Sequence, residues 1–261
     1  GVHCDLASPA KAVGRKAAAR ALSDLAASAA SPRALTLAVR APSETSEADI
    51  RGWIKGVMDT GDRLGAPLCG GDLACSAGPP SLCVTAAGEY PLRGKPPGRD
   101  RARPGDRVVL TGPVGGSRLG RHLNIKARIS AGRRLHFKYG ARAMMDVSDG
   151  LAWDLFRLCR ASGVMATLTA VPVHRDAERA ARSDGETALS HALHDGEDHE
   201  LIATMTARDA AAALADSSSA LSDLCLIGVI SEGKGLMISS QLTGAGDRMW
   251  SPGDGGWRHG G

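Results

Sequence analysis

The stretch Met145-Asp146-Val147-Ser148-Asp149-Gly150-Leu151-Ala152-Trp153-Asp154-Leu155 sets two carboxylates and a hydroxyl where an apolar run meets an amphipathic one. Ala143, Met144, Met145 and Val147 read as a strand, and Leu151, Leu155 and Leu158 recur at helical spacing. Ser148 can cap that helix, and Gly150 loosens the backbone beside it. Carboxylates at such a junction suit a hard cation, usually Mg²⁺ holding phosphate oxygens. The competing reading is a capped helix with two solvated acids.

Other segments offer related chemistry. Ala21-Leu22-Ser23-Asp24-Leu25-Ala26-Ala27 puts one carboxylate in an otherwise apolar helix. It either needs a partner or a metal, or lies on the wet face. Gly70-Gly71-Asp72 follows an apolar run; its glycines would let a ligand approach the backbone, or make an ordinary turn. Asp195, Glu197, Asp198 and Glu200 crowd into one short stretch, where mutual repulsion asks for a cation or a basic ligand. A charged surface turn is the alternative. Thr111-Gly112-Pro113-Val114-Gly115-Gly116-Ser117 could cradle phosphate on backbone amides, or be a tight strand-to-helix turn. It is neither a Walker nor a Rossmann sequence.

Elements at regular intervals must position these groups. Ser8-Pro9 starts a helix with Val13, Ala17, Ala21, Leu22 and Leu25 on one stripe. A strand follows at Leu35 to Val39. A second helix, capped by Ser46, carries Ile50, Trp53, Ile54, Val57 and Leu64 on one face. Leu82, Val84 and Ala86 alternate as a strand, and the Pro-, Gly- and Arg-rich stretch from Pro91 to Pro104 reads as a linker. Beyond it come strands at Arg107 to Leu110, Val164 to Leu168, Glu200 to Met205 and Leu224 to Ile230, with a helix from Thr206 to Leu214. Arg175 to Ser190 reads as polar loop, and the Gly-rich tail from Gly244 as mobile except where Trp257 anchors it. The pattern is α/β (α+β) in two domains, residues 1–98 and 99–261.

Composition narrows the function classes. With 261 residues, 43% hydrophobic and 23% charged, the chain can bury a real core. Aromatics are only 3%, which favours tightly packed layers. The net charge of +4 is small, and the Arg99, Arg101, Arg103 and Arg107 run has no interleaved aromatics for base stacking, so nucleic acid is not expected. No apolar run approaches the roughly 20 residues of a membrane span, and no signal-peptide pattern opens the chain. The six cysteines contain no C-x-x-C pair; they read as small buried hydrophobes in a reducing cytoplasm, and zinc is not expected. His191, His194 and His199 match no common metal spacing.

Taken in order, Leu-Ser-Asp-Leu-Ala-Ala, Gly-Gly-Asp, Arg-x-x-Ala-Arg-Pro-Gly-Asp, Thr-Gly-x-x-Gly, Asp-x-Ser-Asp-Gly-Leu and Gly-Glu-Asp-x-Glu-Leu resemble the thiamine-monophosphate kinases, a family of the aminoimidazole ribonucleotide synthetase superfamily. The resemblance runs over nearly the whole chain. It implies an N-terminal α/β domain that pairs with its copy in a homodimer through a shared barrel-like sheet, and a C-terminal α+β domain. It also implies transfer of the ATP γ-phosphoryl group directly to thiamine monophosphate, giving thiamine diphosphate, with several Mg²⁺ ions neutralising charge. No catalytic side chain is required. By position, Asp24, Asp72, Asp146 and Asp149 would be metal ligands. Gly71, Asp72, Arg99 and Ser148 would meet ATP, and His3, Glu197 and Trp257 the substrate.

The family pattern also includes a segment before Gly-Val-His, with a Gly-Asp-Asp motif and a strand ending in Thr-Asp, that supplies further metal ligands. This sequence opens at Gly1 without it, so the expectation is a fragment with an incomplete site and weak or no activity. Smaller departures are Leu73 for Thr, Asp195 for Gly and His199 for Tyr. Hydrogenase-maturation and selenophosphate synthetase-like relatives are alternatives. The chain does not end in the reactive Cys of the first. A non-catalytic nucleotide-binding protein is the alternative from another class.

Overall fold

The computed structural model describes residues 3–5, 7–91 and 94–256. The first helix, α1 (Ala10–Ala27), is Ala-rich, so its backbone can approach neighbours closely. Against it lies α2 (Glu47–Arg63), capped as expected by Ser46, whose side chain accepts from the Asp49 N–H. Their contact depends on Gly14, where a Cβ would fall 2.0 Å from the Trp53 carbonyl oxygen.

Both helices cover one face of a three-stranded sheet made of β1 (Ser31–Ala41), β2 (Leu68–Cys75) and β3 (Ser81–Glu89), ordered β2-β1-β3. β1 runs parallel to β2 and antiparallel to β3. The period-two pattern of β1 sets its faces. Leu35, Leu37, Val39 and Ala41 are buried with Leu22, Trp53 and Val57, while Thr36, Ala38 and Arg40 are exposed on the opposite face. The sheet is open, and the described residues close no barrel.

The second sheet has seven strands: β4 (Arg107–Leu110), β5 (Ala143–Asp146), β6 (Met165–Leu168), β7 (Leu201–Met205), β8 (Cys225–Ser231), β9 (Gly235–Ile238) and β10 (Arg248–Trp250). Their order is β10-β9-β6-β8-β4-β7-β5, antiparallel throughout except for β6 beside β9. On one face, α3 (Ile129–Phe137) and α7 (Ala207–Leu214) contribute Leu135, Ala210 and Ala213 to a core with Val109, Met144 and Met205. On the other, α4 (Leu151–Ser162) contributes Leu151, Leu155 and Leu158 to a core with Leu110, Met145 and Ile227. With both faces covered, every residue of β7 is buried, so its sequence reads as a continuous apolar run. Ala26, at the end of α1, belongs to the α3 core, so α1 spans both halves.

Several local expectations are corrected. The segment read as polar loop forms α5 (Arg175–Asp184) and α6 (Ala188–His194). It is polar because α5 turns only a narrow face inward, at Ala177 and Ala180. The glycine turn after β4 opens no α-helix, only short 3₁₀ turns at Ser117–Leu119 and Arg121–Asn124. Pro9 itself holds the N-cap of α1, with no side-chain cap. The tail continues past Gly244, beyond α8 (Ser240–Thr243), into β10. There Trp250 is 2% exposed and meets Trp153 edge-on. Of the cysteines, Cys159 is buried, but Cys69, Cys75 and Cys83 are exposed on the first sheet. Trp257 lies outside the described residues.

Candidate functional site

A cleft of about 1190 Å³ runs along α1, from His3 past the start of β3 to Asp146, Ser148 and His199. Asp24 and Arg99 also line it. Residues from both halves of the chain therefore face one volume, with α1 as the shared wall.

The acidic end is built at the tip of β5. Asp146 is buried there, and its Oδ2 accepts from Ser23 Oγ at 2.7 Å and His199 Nδ1 at 2.9 Å. Burial alone would raise this carboxyl, but the hydrogen bonds and the charge of His199 bring it below its ordinary value. Asp24 opens onto the cleft one residue beyond Ser23. The cleft walls and the neighbouring Asp146 push its carboxyl up, against the charge of Arg99. Two carboxylates that repel each other across a cleft present a place for a cation.

Ser148 does not cap α4. Gly150 takes the cap position at φ 115°, and Asp154 folds back from the first turn to accept the N–H groups of Ser148 and Asp149, both at 2.8 Å. Burial pushes the Asp154 carboxyl up to about 7 despite those bonds. Asp149 is turned away from the cleft and accepts from Arg157 Nη1.

The basic end centres on Lys16, a buried lysine of α1 that reading the sequence missed. Its Nζ donates to Glu197 Oε2 at 2.6 Å, to His122 Nδ1 at 2.7 Å and to the His3 carbonyl. His3 Nδ1 lies 3.2 Å from Glu197 Oε1. Burial would raise the Glu197 carboxyl, but His122 and Lys16 against it, with the charge of Arg20 behind, hold it well below the ordinary glutamate range. Burial also lowers the Lys16 ammonium, against the pull of Glu197. The two residues expected at the substrate, His3 and Glu197, thus share one lysine. A signal was present: Lys16, Arg20 and Asp24 recur at i, i+4, i+8 in an Ala-rich helix.

The crowded acids between residues 195 and 200 are answered from within. Glu197 has Lys16, Asp198 has Arg121 at 2.8 Å, and Glu200 has Arg128 at 2.5 Å. The glycine turn that could have cradled phosphate is occupied by the same acids: Gly115 N–H donates to Asp198 at 3.0 Å and Gly116 N–H to Asp195 at 2.7 Å. Repulsion and anion-binding turn, read separately in the sequence, are two sides of one internal contact.

Gly71 and Asp72 are not brought to this cleft. They lie on exposed β2 and line a separate groove with Leu37, Val39 and Ile54. A Cβ on Gly71 would fall 1.9 Å from the Leu37 carbonyl oxygen, so pairing with β1 already demands the glycine. Among the described residues, no group of three or more His, Cys, Asp and Glu side chains forms a metal cage. The donor set that meets the cleft is the Asp24 and Asp146 pair. That suits Mg²⁺, which binds through one or two carboxylates plus waters and substrate phosphates.

This architecture is an aminoimidazole ribonucleotide synthetase-like one. Residues 1–90 match the family described as AIR synthase related protein, N-terminal domain. The thiamine-monophosphate kinase of Rhodopirellula baltica is 36% identical over 204 residues, a match spanning 76% of this chain and 63% of that relative's length. A crystal structure of thiamine-monophosphate kinase from Stenotrophomonas maltophilia K279a superposes with a TM-score of 0.80 at 34% identity, over 92% of this chain and 82% of the other. AaThiL complexed with AMPPCP and TMP gives a TM-score of 0.85 at 26% identity, over 99% and 84%. The chain belongs to the thiamine-monophosphate kinase family.

Proposed function

We propose that this chain catalyses, or forms most of the site for, ATP-dependent phosphorylation of thiamine monophosphate to thiamine diphosphate. The observation that carries the reading is the polarity of the α1 cleft. It has a carboxylate pair, Asp24 and Asp146, at one end and His3 with Lys16 at the other, both of which bind Glu197 behind them. We assign the amino-bearing ring to the His3 end, where Glu197 meets it only by giving up Lys16, and the phosphates to the opposite end. Family membership and a relative solved with AMPPCP and TMP support the same assignment.

In this mechanism Asp24 and Asp146 would hold Mg²⁺. When bound, the metal supplies charge neutralisation for the phosphate oxygens. Ser23 and His199 orient Asp146 through its Oδ2. Arg99, exposed at the cleft mouth, reaches the nucleotide phosphates, and Ser148 contacts the nucleotide. Glu197, kept ionised by His122 and Lys16, is assigned to the thiamine end. Asp149, held by Arg157, supports the β5–α4 loop and becomes a ligand only if that pair opens. Asp72 and Gly71 contribute only if β2 is brought against the cleft, as a partner subunit would do. Trp257 is assigned to the substrate ring. We further propose a homodimer through the exposed face of the first sheet, a domain boundary at residues 98 and 99, and a cytoplasmic protein. No helix of the described residues is long and apolar enough to cross a membrane.

The test is chromatographic detection of thiamine diphosphate from thiamine monophosphate, ATP and Mg²⁺. Product formation that disappears without Mg²⁺ supports the reading. Binding of AMPPCP with no product from any thiamine ester moves the assignment to a nucleotide-binding protein.

A further inference from the structure

One guanidinium on the cleft wall forms no bond with the described residues. Arg20 lies on α1 one turn from Lys16 and one turn from Asp24, and all three line the cleft. Side chains at this spacing have Cβ atoms about 5–6 Å apart. Lys16 spends its three donors on His3, His122 and Glu197. Arg20 makes no hydrogen bond or ion pair with any described residue, although it is half-buried and carries five N–H donors. Neither acid near it takes those donors. Asp24 forms no ion pair with it, and the Glu197 oxygens are held by Lys16 and His3. Its charge nonetheless acts on His3, Lys16, Asp24 and Glu197, so it sits between the two ends of the site. A half-buried cation with a planar fork and no partner among the described residues, facing a cleft, matches an oxyanion.

We propose that Arg20 binds the phosphate of the acceptor substrate, fixing that group midway between the Glu197 end and the Asp24–Asp146 end. This rests on the kinase reading above and deepens it. Arg99, at the cleft mouth, is left for the nucleotide. The ligand class is a phosphate monoester carried on an organic cation. Such a contact favours the phosphorylated acceptor over the unphosphorylated alcohol.

Calorimetric titration with thiamine monophosphate, thiamine and AMPPCP tests this on the unaltered chain, Arg20→Gln and Arg20→Lys, with melting curves to confirm folding. Arg20→Gln should bind thiamine monophosphate at least about tenfold more weakly, the floor for a lost charge-assisted hydrogen bond. Thiamine and AMPPCP binding should not change. Arg20→Lys, which keeps charge but not the fork, should fall between. Unchanged thiamine monophosphate binding in Arg20→Gln overturns the proposal. So does an equal loss for thiamine, which makes Arg20 a wall of the pocket, or a loss confined to AMPPCP, which makes it a nucleotide contact. If the unaltered chain forms no thiamine diphosphate yet prefers the monophosphate to thiamine, and Arg20→Gln erases that preference, Arg20 stands and the kinase reading falls. If the unaltered chain shows no such preference, both fall.

Discussion

Replacing Lys16 by Met is the sharpest perturbation of the cleft, because it removes a charge and little volume. The Lys16 side chain is 3% exposed and that of Glu197 12%, with Nζ and Oε2 2.6 Å apart. At an effective dielectric of about 20, that separation corresponds to about 6 kcal/mol of attraction before desolvation is subtracted. Once the lysine is gone, Glu197 keeps only His122 and His3. Deleting one member of a buried pair usually costs 3–5 kcal/mol, and the two remaining imidazoles put this case near the lower end, at about 3 kcal/mol. Urea unfolding of Lys16→Met, Glu197→Gln and the double variant measures it as a cycle. We expect a coupling energy of about 2 kcal/mol, within the range for groups in direct contact. The double variant should therefore be less destabilised than the sum of the singles. Additive losses, with coupling under about 0.5 kcal/mol, would refute the reasoning and leave Lys16 as packing alone.

Three further outcomes follow from the same contacts. Asp146→Asn should abolish phosphoryl transfer in a chain that still folds, since a neutral amide is a poor Mg²⁺ ligand; full activity would remove Asp146 from the site. Its melting midpoint should be lowered, because His199 loses its buried anionic partner. Gly14→Ala should destabilise by about 1–3 kcal/mol in urea unfolding, because its methyl group must displace the Trp53 carbonyl; an unchanged midpoint would mean that α1 and α2 are not in close contact. His191 provides a pH effect: burial alone would lower its pKa, but Asp195 and Asp184 raise it above the ordinary value. The folded state then binds this proton more tightly than the unfolded one. The stabilisation is complete below about 6.5 and lost as pH rises through the raised value, at a cost under about 1 kcal/mol. Thermal midpoints across that window should fall more steeply for the unaltered chain than for His191→Gln, and equal slopes would exclude the residue.

What could be read from the sequence was what local chemistry decides. The Ser46 cap, the β5 strand before Asp146 and the Leu151, Leu155, Leu158 stripe all depend on near neighbours in the chain. The regions misread are those where a distant partner decides. Residues 175–190 looked like loop because α5 has few inward residues, and Ser148 gave up the cap position to Gly150. The Lys16–Glu197 contact joins positions 181 apart, and Asp198–Arg121 joins positions 77 apart. No spacing rule reaches that far. The acidic stretch was legible as a need for positive charge, but not which lysine and arginines would supply it.

The backbone explains how one short loop serves both ends of the cleft. Glu197 and His199 hold φ values of 54° and 53°, in the left-handed region, where a non-glycine residue carries about 1 kcal/mol or more of strain. Two backbone bonds offset it: Glu197 N–H donates to the Ser148 carbonyl and His199 N–H to that of Val147, each at 2.8 Å. The loop is thereby latched to the β5–α4 turn that carries Asp146. With two left-handed residues separated by one ordinary residue, Glu197 is delivered to Lys16 and His199 to Asp146. The acidic and basic ends are consequently not independent sites. Any change that opens the latch moves the Glu197 carboxylate and the partner of Asp146 together, so a substitution at either backbone-strained position should disturb both ends of the cleft at once.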